Sequence, residues 1–216
     1  SLIMDLSVYP EGTAVFCADG ATPLILEVQL CDSGQNPVPY SRIKLQFNHF
    51  SARMKPARPI TGRDGRVTIT LFPQEPYRTE AGAGLEPVTE ASASIRLSAA
   101  KASPVLWEGK IASPPVLLVH GFQDTSESMV PLKNFLTGKG LLAFTLDYDT
   151  NTDLPAMSIE LEKALAGLMQ DLKSKGIHAQ RADIVAHSLG GLVARYYTTQ
   201  PAYLQTNNVH KIVFIN

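Results

Sequence analysis

The chain has 216 residues, which fits one large domain or two small ones at roughly 100–200 residues per domain. Apolar residues make up 44% and charged residues 18%, so a core can be buried and wholesale disorder is excluded. Nineteen Lys and Arg against twenty Asp and Glu give a net charge of −1, which supplies no reason to expect nucleic acid or an anionic membrane as partner.

No apolar run approaches the ~18–20 residues that a membrane-spanning helix needs. Ser1 opens the sequence without a methionine, and no charged segment leading into an apolar one follows, so a leader is either absent or already removed. Cys17 and Cys31 are too few for a disulfide framework. On neighbouring strands joined by a turn at 18–23 they would lie roughly 20 Å apart, beyond bridging distance. The histidines at 49, 120, 178, 187 and 210 form no HExxH or Cys/His cluster, so no metal is expected.

Twelve of the fifteen prolines fall in residues 1–115, punctuating short alternating or β-branched runs at Thr13–Cys17, Leu24–Cys31, Ile43–Phe47, Val67–Phe72 and Ser94–Ser98. Turn clusters separate them, as in Asp32-Ser33-Gly34-Gln35-Asn36-Pro37 and Gly62-Arg63-Asp64-Gly65. Short strands with turn signals and no helical period predict an antiparallel β-sandwich over residues 1–110. Residues 73–91, rich in Pro, Gly, Glu and Thr, read as a long loop.

The stretch ADGATPLILEVQLCDSGQNPVP, followed by TGRDGRVTITL, resembles the bacterial Ig-like domains of the invasin/intimin type. The likeness spans roughly residues 8–100. It implies an Ig-like sandwich that serves as a spacer or adhesion unit, and a secreted or extracytoplasmic location.

From Pro114-Pro115 onward the pattern changes. Val116–Val119 is a continuous apolar run, as in a strand buried on both faces. Ser128 is placed to cap a helix running to about Thr137, with Val130, Leu132, Phe135 and Leu136 toward the core and Gly138 as stop. Leu141–Leu146 is the next strand. In residues 156–175, Met157, Leu161, Leu165, Leu168 and Leu172 fall on one face of a helix ended by Gly176. Asp183–Ala186 is a strand, Leu189–Thr199 a helix, and Val209–Ile215 a last strand. Strand–helix alternation with short links predicts a parallel sheet of right-handed βαβ units over residues 111–216, so the chain reads as a β domain followed by an α/β domain.

Ile184-Val185-Ala186-His187-Ser188-Leu189-Gly190-Gly191 places a serine between a buried strand and a helix, with small residues around it. A sharp strand-to-helix turn has no room for side chains two residues before and after the serine, and it lifts the hydroxyl above the sheet edge. The backbone N–H of Leu189 then faces a developing oxyanion. A serine that merely caps the helix is the alternative.

This segment resembles the nucleophile elbow of the α/β-hydrolase family, lipase and esterase branch, with Ala186 in place of the first glycine. Val116-Leu117-Leu118-Val119-His120-Gly121-Phe122 resembles the family's oxyanion strand and loop. The resemblance implies Ser188 as nucleophile and the N–H groups of Phe122 and Leu189 as oxyanion donors, supported by His120, Gly121, His187, Gly190 and Gly191. His120 braces the loop or transfers protons, and His187 packs or takes part in catalysis. Asp124 and Asp147-Tyr148-Asp149 follow strand ends, as site-lining groups or solvated carboxylates.

A serine needs an imidazole to take its proton and a carboxylate to orient that imidazole. After Ser188 the sequence holds no Asp or Glu, and His210 opens the last strand, at the far edge of the sheet from the elbow. The family's strand order puts 116–119 between 141–146 and 183–186, with the apolar run Ile212–Ile215 outermost. Such an edge is normally covered, so the chain is expected to be a hydrolase that ends before its acid and histidine. The expected activity is cleavage of small-molecule or lipid esters through an acyl-enzyme, which needs no cofactor and is weak in this chain alone. A thioesterase, amidase or acyltransferase, or a non-catalytic adhesion or binding module, are the alternatives.

Overall fold

The computed structural model describes residues 2–11, 14–74 and 90–215. Of the loop expected at 73–91, residues 75–89 lie outside the described residues. The chain divides into two compact units, Ser1–Ala112 and Ser113–Asn216.

The first unit is a β-sandwich. One sheet has the order β1-β3-β6-β5, formed by Leu2–Tyr9, Leu24–Asp32, Arg66–Gln74 and Ser51–Lys55. The other contains β2 (Val15–Cys17), β8 (Val105–Ala112), β7 (Glu90–Ser98) and β4 (Lys44–Asn48), paired in that order. Alternation decides what lies between the sheets. Leu24, Leu26, Val28 and Leu30 of β3 point inward and meet Phe16, Phe50, Ile69, Leu71, Ile95, Leu97 and Ile111. Each such side chain contributes roughly 1.5–3 kcal/mol on burial.

Three strands of this unit went unread in the sequence, namely β1, β5 and β8. All three alternate between the core and solvent faces. One feature departs from the antiparallel expectation. β2 pairs parallel to β8, with Val15 opposite Lys110 and Cys17 opposite Ala112. The reason is that the chain leaves the first sheet after β1 and joins the second as β2, a switch that corners of sandwiches commonly use. Cys17 and Cys31 are both buried free thiols.

The second unit is α/β. Its sheet is wholly parallel, in the order β10-β9-β12-β13, from Ala143–Leu146, Val116–Val119, Ala182–His187 and Val209–Ile215. This is the strand order expected above. A two-residue strand, β11 (Ile177–His178), precedes β12.

Helices α2 (Leu154–Ser174) and α3 (Leu189–Thr199) cover one face, packing Met157, Leu161, Leu165 and Leu172 against Leu117, Val119, Ile184 and Ala186. Asp153 caps α2 by accepting the Ala156 N–H at 2.9 Å, and Gly176 follows it at φ +76°. A single-turn helix, α4 (Tyr203–Thr206), leads into β13.

The other face carries α1 (Val130–Gly138), preceded by a 3-10 turn at Ser126–Met129. Here the expected cap fails. Met129 occupies the capping position, and the Ser128 hydroxyl instead donates to the Thr125 carbonyl. The extra 3-10 turn moves the helix start beyond Ser128. Leu132 and Leu136 pack on the sheet, whereas Phe135 is 61% exposed and lies beneath the Lys139 ammonium.

Candidate active site

Parallel strands bring the ends of β9 and β12 side by side, because Val119 is level with Ala186. The residues that follow, His120–Phe122 and Ser188–Gly190, therefore meet at the C-terminal edge of the sheet. Ser188 is exposed, and its backbone stands at φ 48°, ψ −115°. A non-glycine residue there stores about 1–3 kcal/mol of strain and persists because its surroundings fix it. Its side chain forms no capping hydrogen bond with α3, which argues against an ordinary helix cap. The Ser188 N–H is held by the Ile215 carbonyl at 3.2 Å, and its carbonyl by the Gly191 N–H at 2.9 Å.

The small residues are where the turn requires them. Ala186 is fully buried. A Cβ on Gly190 would lie 2.7 Å from the His120 carbonyl oxygen and 2.8 Å from that of Val119, and one on Gly191 would meet the Phe214 ring at 2.8 Å. A Cβ on Gly121 would sit 2.9 Å from His187 Nδ1 and 3.3 Å from Ser188 Cβ. The close neighbours that demand a glycine at 121 are the residues of the turn itself, His187 and Ser188. Among the described residues, the N–H groups of Phe122 and Leu189 take no hydrogen bond.

His120 is fully buried and stacks on Tyr148 with ring centroids 4.4 Å apart. Its Nδ1 lies 2.9 Å from the Gly121 carbonyl oxygen. Nε2 has no hydrogen-bond partner and is 3.5 Å from the exposed Asp147 carboxylate. A ring enclosed this way braces the loop.

The residues after β10 complete the brace. The Tyr148 hydroxyl donates to the His120 carbonyl at 2.8 Å, Thr150 Oγ1 accepts the Gln123 N–H, and Asp147 Oδ1 accepts the Ser126 N–H. Burial pushes the Tyr148 phenol up to about 12, so it remains a donor. The bracing role of Asp147, Tyr148 and Thr150 was not evident in the sequence, which marked the first two only as strand-end residues.

Asp124 is held below the usual carboxylate range, first by the Ser128 hydroxyl and then by the Thr125 N–H, with smaller effects of His120 and His187. His187 is half-buried against Gly121. His210 stands at the opposite edge of the sheet, where its Nδ1 is 2.8 Å from Asp183 Oδ1. Five residues of strand separate Asp183 from Ser188, roughly 16 Å, so this pair does not serve the elbow. Among the described residues, no group of three or more His, Cys, Asp or Glu is placed to hold a metal ion. No helix among them is long and apolar enough to cross a membrane.

No protein-family model matches the chain. Solved structures that match include the D00-D0 domain of intimin, at 14% identity over 48% of this chain and 45% of that one, with a TM-score of 0.30. The D0-D1 domain of intimin matches at 11% identity over 56% and 60%, with a TM-score of 0.36. The Yersinia pseudotuberculosis adhesin InvE matches at 14% identity over 56% and 32%, with a TM-score of 0.35. The chain thus spans under half the length of the first of these. At such scores the likenesses carry no argument about what the chain does.

Proposed function

We propose that the second unit holds the nucleophile and oxyanion site of a serine hydrolase of the α/β-hydrolase type, acting on carboxylic esters. The observation that carries this reading is the strained, uncapped and exposed Ser188 beside the two unengaged N–H groups of Phe122 and Leu189. In the proposed reaction Ser188 Oγ attacks the ester carbonyl while an imidazole takes its proton. The two N–H groups hold the oxyanion, the alcohol leaves with a proton, and water releases the acid from the acyl-enzyme. Among the described residues no imidazole is shown placed for this role, so the chain alone is expected to turn over slowly. The resemblance of the first unit to invasin/intimin-type Ig-like domains supports an extracytoplasmic location.

The test is hydrolysis of short-chain p-nitrophenyl esters, together with labelling by a fluorophosphonate, for the chain and its Ser188→Ala variant. Slow labelling that vanishes in the variant is expected. Labelling elsewhere, unchanged by the substitution, would remove the assignment. Turnover at the level of ordinary esterases, abolished by the substitution, would show that a base is present after all. The second reading is a non-catalytic binding module. No labelling of Ser188 at all would favour it.

A further inference from the structure

We propose that the sandwich unit carries a binding site for a linear anionic polysaccharide, in the cleft beside strand β4. Residues 40–66 contain seven of the chain's 19 Lys and Arg but one of its 20 acidic residues. The near-neutral total conceals this concentration.

The fold gathers part of it into a concave surface. Arg42 precedes β4, Lys44 opens it, and Arg58 follows β5. These residues line two adjoining clefts of about 460 and 470 Å³, which share Arg42, Lys44 and Ser98. Among the described residues, no acidic side chain lines either cleft. The cleft beside β1, β3 and β6, by contrast, sets Asp5, Glu27 and Asp64 around Arg66.

Arg42, Lys44 and Arg58 are exposed, and among the described residues none forms an ion pair. Protein surfaces usually intersperse the two signs of charge. Cations gathered in a cleft without carboxylates repel one another, and an incoming oxyanion relieves that repulsion. Arginine suits the task because its planar fork grips sulfate or carboxylate through two hydrogen bonds. Neutral hydrogen-bonding groups lie among the cations: Tyr40, Ser41, Gln46 and Ser98. Arg96 stands opposite Gln46 in register on the same outward face and extends the basic row along the sheet.

The shape selects the class of partner. A concave floor is out of reach of a flat bilayer. Among the described residues, Tyr40 is the single aromatic lining the two clefts, too few for the successive base stacking on which single-stranded nucleic acids depend. Sugar hydroxyls match the serine, tyrosine and glutamine side chains, and acidic substituents along a glycan match the spaced cations.

The test uses the full chain and a fluorescent heparin oligosaccharide, read by anisotropy at about 0.15 M salt. Binding is expected. It should weaken by on the order of tenfold or more in the triple variant R42Q/K44Q/R58Q, with the slope of log K against log salt falling by about two to three. The charge-matched triple K133Q/K163Q/K173Q, in the other unit, should bind as the unaltered chain does. A polyuronate of equal charge density distinguishes carboxylate from sulfate as the preferred group. If the first triple melts early, R58Q alone, in the loop after β5, should still weaken binding severalfold.

Absence of heparin binding, or equal loss in the two triples, would overturn the proposal. So would tighter binding of single-stranded DNA or phosphatidylserine vesicles through the same three residues.

Discussion

Ser188 combines a backbone that resists its own side chain with a hydroxyl left uncommitted to the helix it precedes. Replacing it with glycine removes the Cβ that makes φ 48° costly, while alanine keeps it. Ser188→Gly is therefore expected to be more stable than Ser188→Ala by about 1 kcal/mol, read from paired urea melts. Equal midpoints would mean that the turn is unstrained. Gly190 has the opposite sensitivity, since the two atoms nearest an added Cβ are backbone oxygens that cannot swing away. Gly190→Ala should cost about 1–3 kcal/mol by overpacking, measured by the same melts.

Cys17 offers a pH test at the same scale. Burial, followed by the nearby Asp19 charge, pushes its thiol from 9.0 up to about 12. A thiol raised in the folded state keeps its proton while the unfolded one loses it. Its contribution is therefore complete below pH 9 and declines between 9 and 12, at up to about 1.4 kcal/mol per pH unit. Stability measured across that window should fall more steeply in the unaltered chain than in Cys17→Ala. Parallel curves would contradict it.

At the level of elements, what the sequence revealed depended on whether the signal was local. Helix α2 was readable because its buried residues recur every three or four positions, and the strand-to-helix turn at Ser188 because small residues flank it within one turn. Strand β1 alternates equally well, with Leu2, Met4, Leu6 and Val8 on the inward side. Asp5 and Ser7 break up its apolar run, and in β5 Ala52 and Met54 are weak inward markers. The loop brace was hidden for a different reason. Gln123 meets Thr150 across 27 residues and Tyr148 meets the His120 carbonyl across 28, so no window contains both partners. Ser128 shows a local signal overruled, because the 3-10 turn places Met129 at the cap. At α2 the side-chain cap is Asp153, which accepts the Ala156 N–H, and its loss by Asp153→Ala should cost about 1 kcal/mol. A cost near zero in thermal melts would assign the helix start to packing alone.

For the whole molecule, average quantities conceal where the chemistry lies. A net charge of −1 gave no reason to expect nucleic acid or an anionic membrane, yet the folded sandwich sets Arg42, Lys44 and Arg58 around clefts that no carboxylate lines among the described residues. Mean composition likewise gives no warning of β13. That edge strand exposes Val213 at 50%, Phe214 at 48% and Ile215 at 38%, beside Leu192 of α3 at 57%. Lys211 is the one formally charged residue in the strand apart from any proton on His210, and proline is absent from it. Edges are kept from pairing with other chains by charges, prolines or cover, and the outer half of β13 has neither of the first two. The sandwich, by contrast, closes its core with residues of its own unit. Self-association of the isolated chain should therefore run through β13. Val213→Lys, which puts a charge on the edge and removes no buried contact of the main cores, should lower light scattering at matched concentration and change the unfolding free energy by no more than about 0.5 kcal/mol. The outward β8 substitution Leu106→Lys, at a site 56% exposed, should leave the scattering unchanged. Equal improvement from both would make association a matter of general surface polarity and not of the open edge.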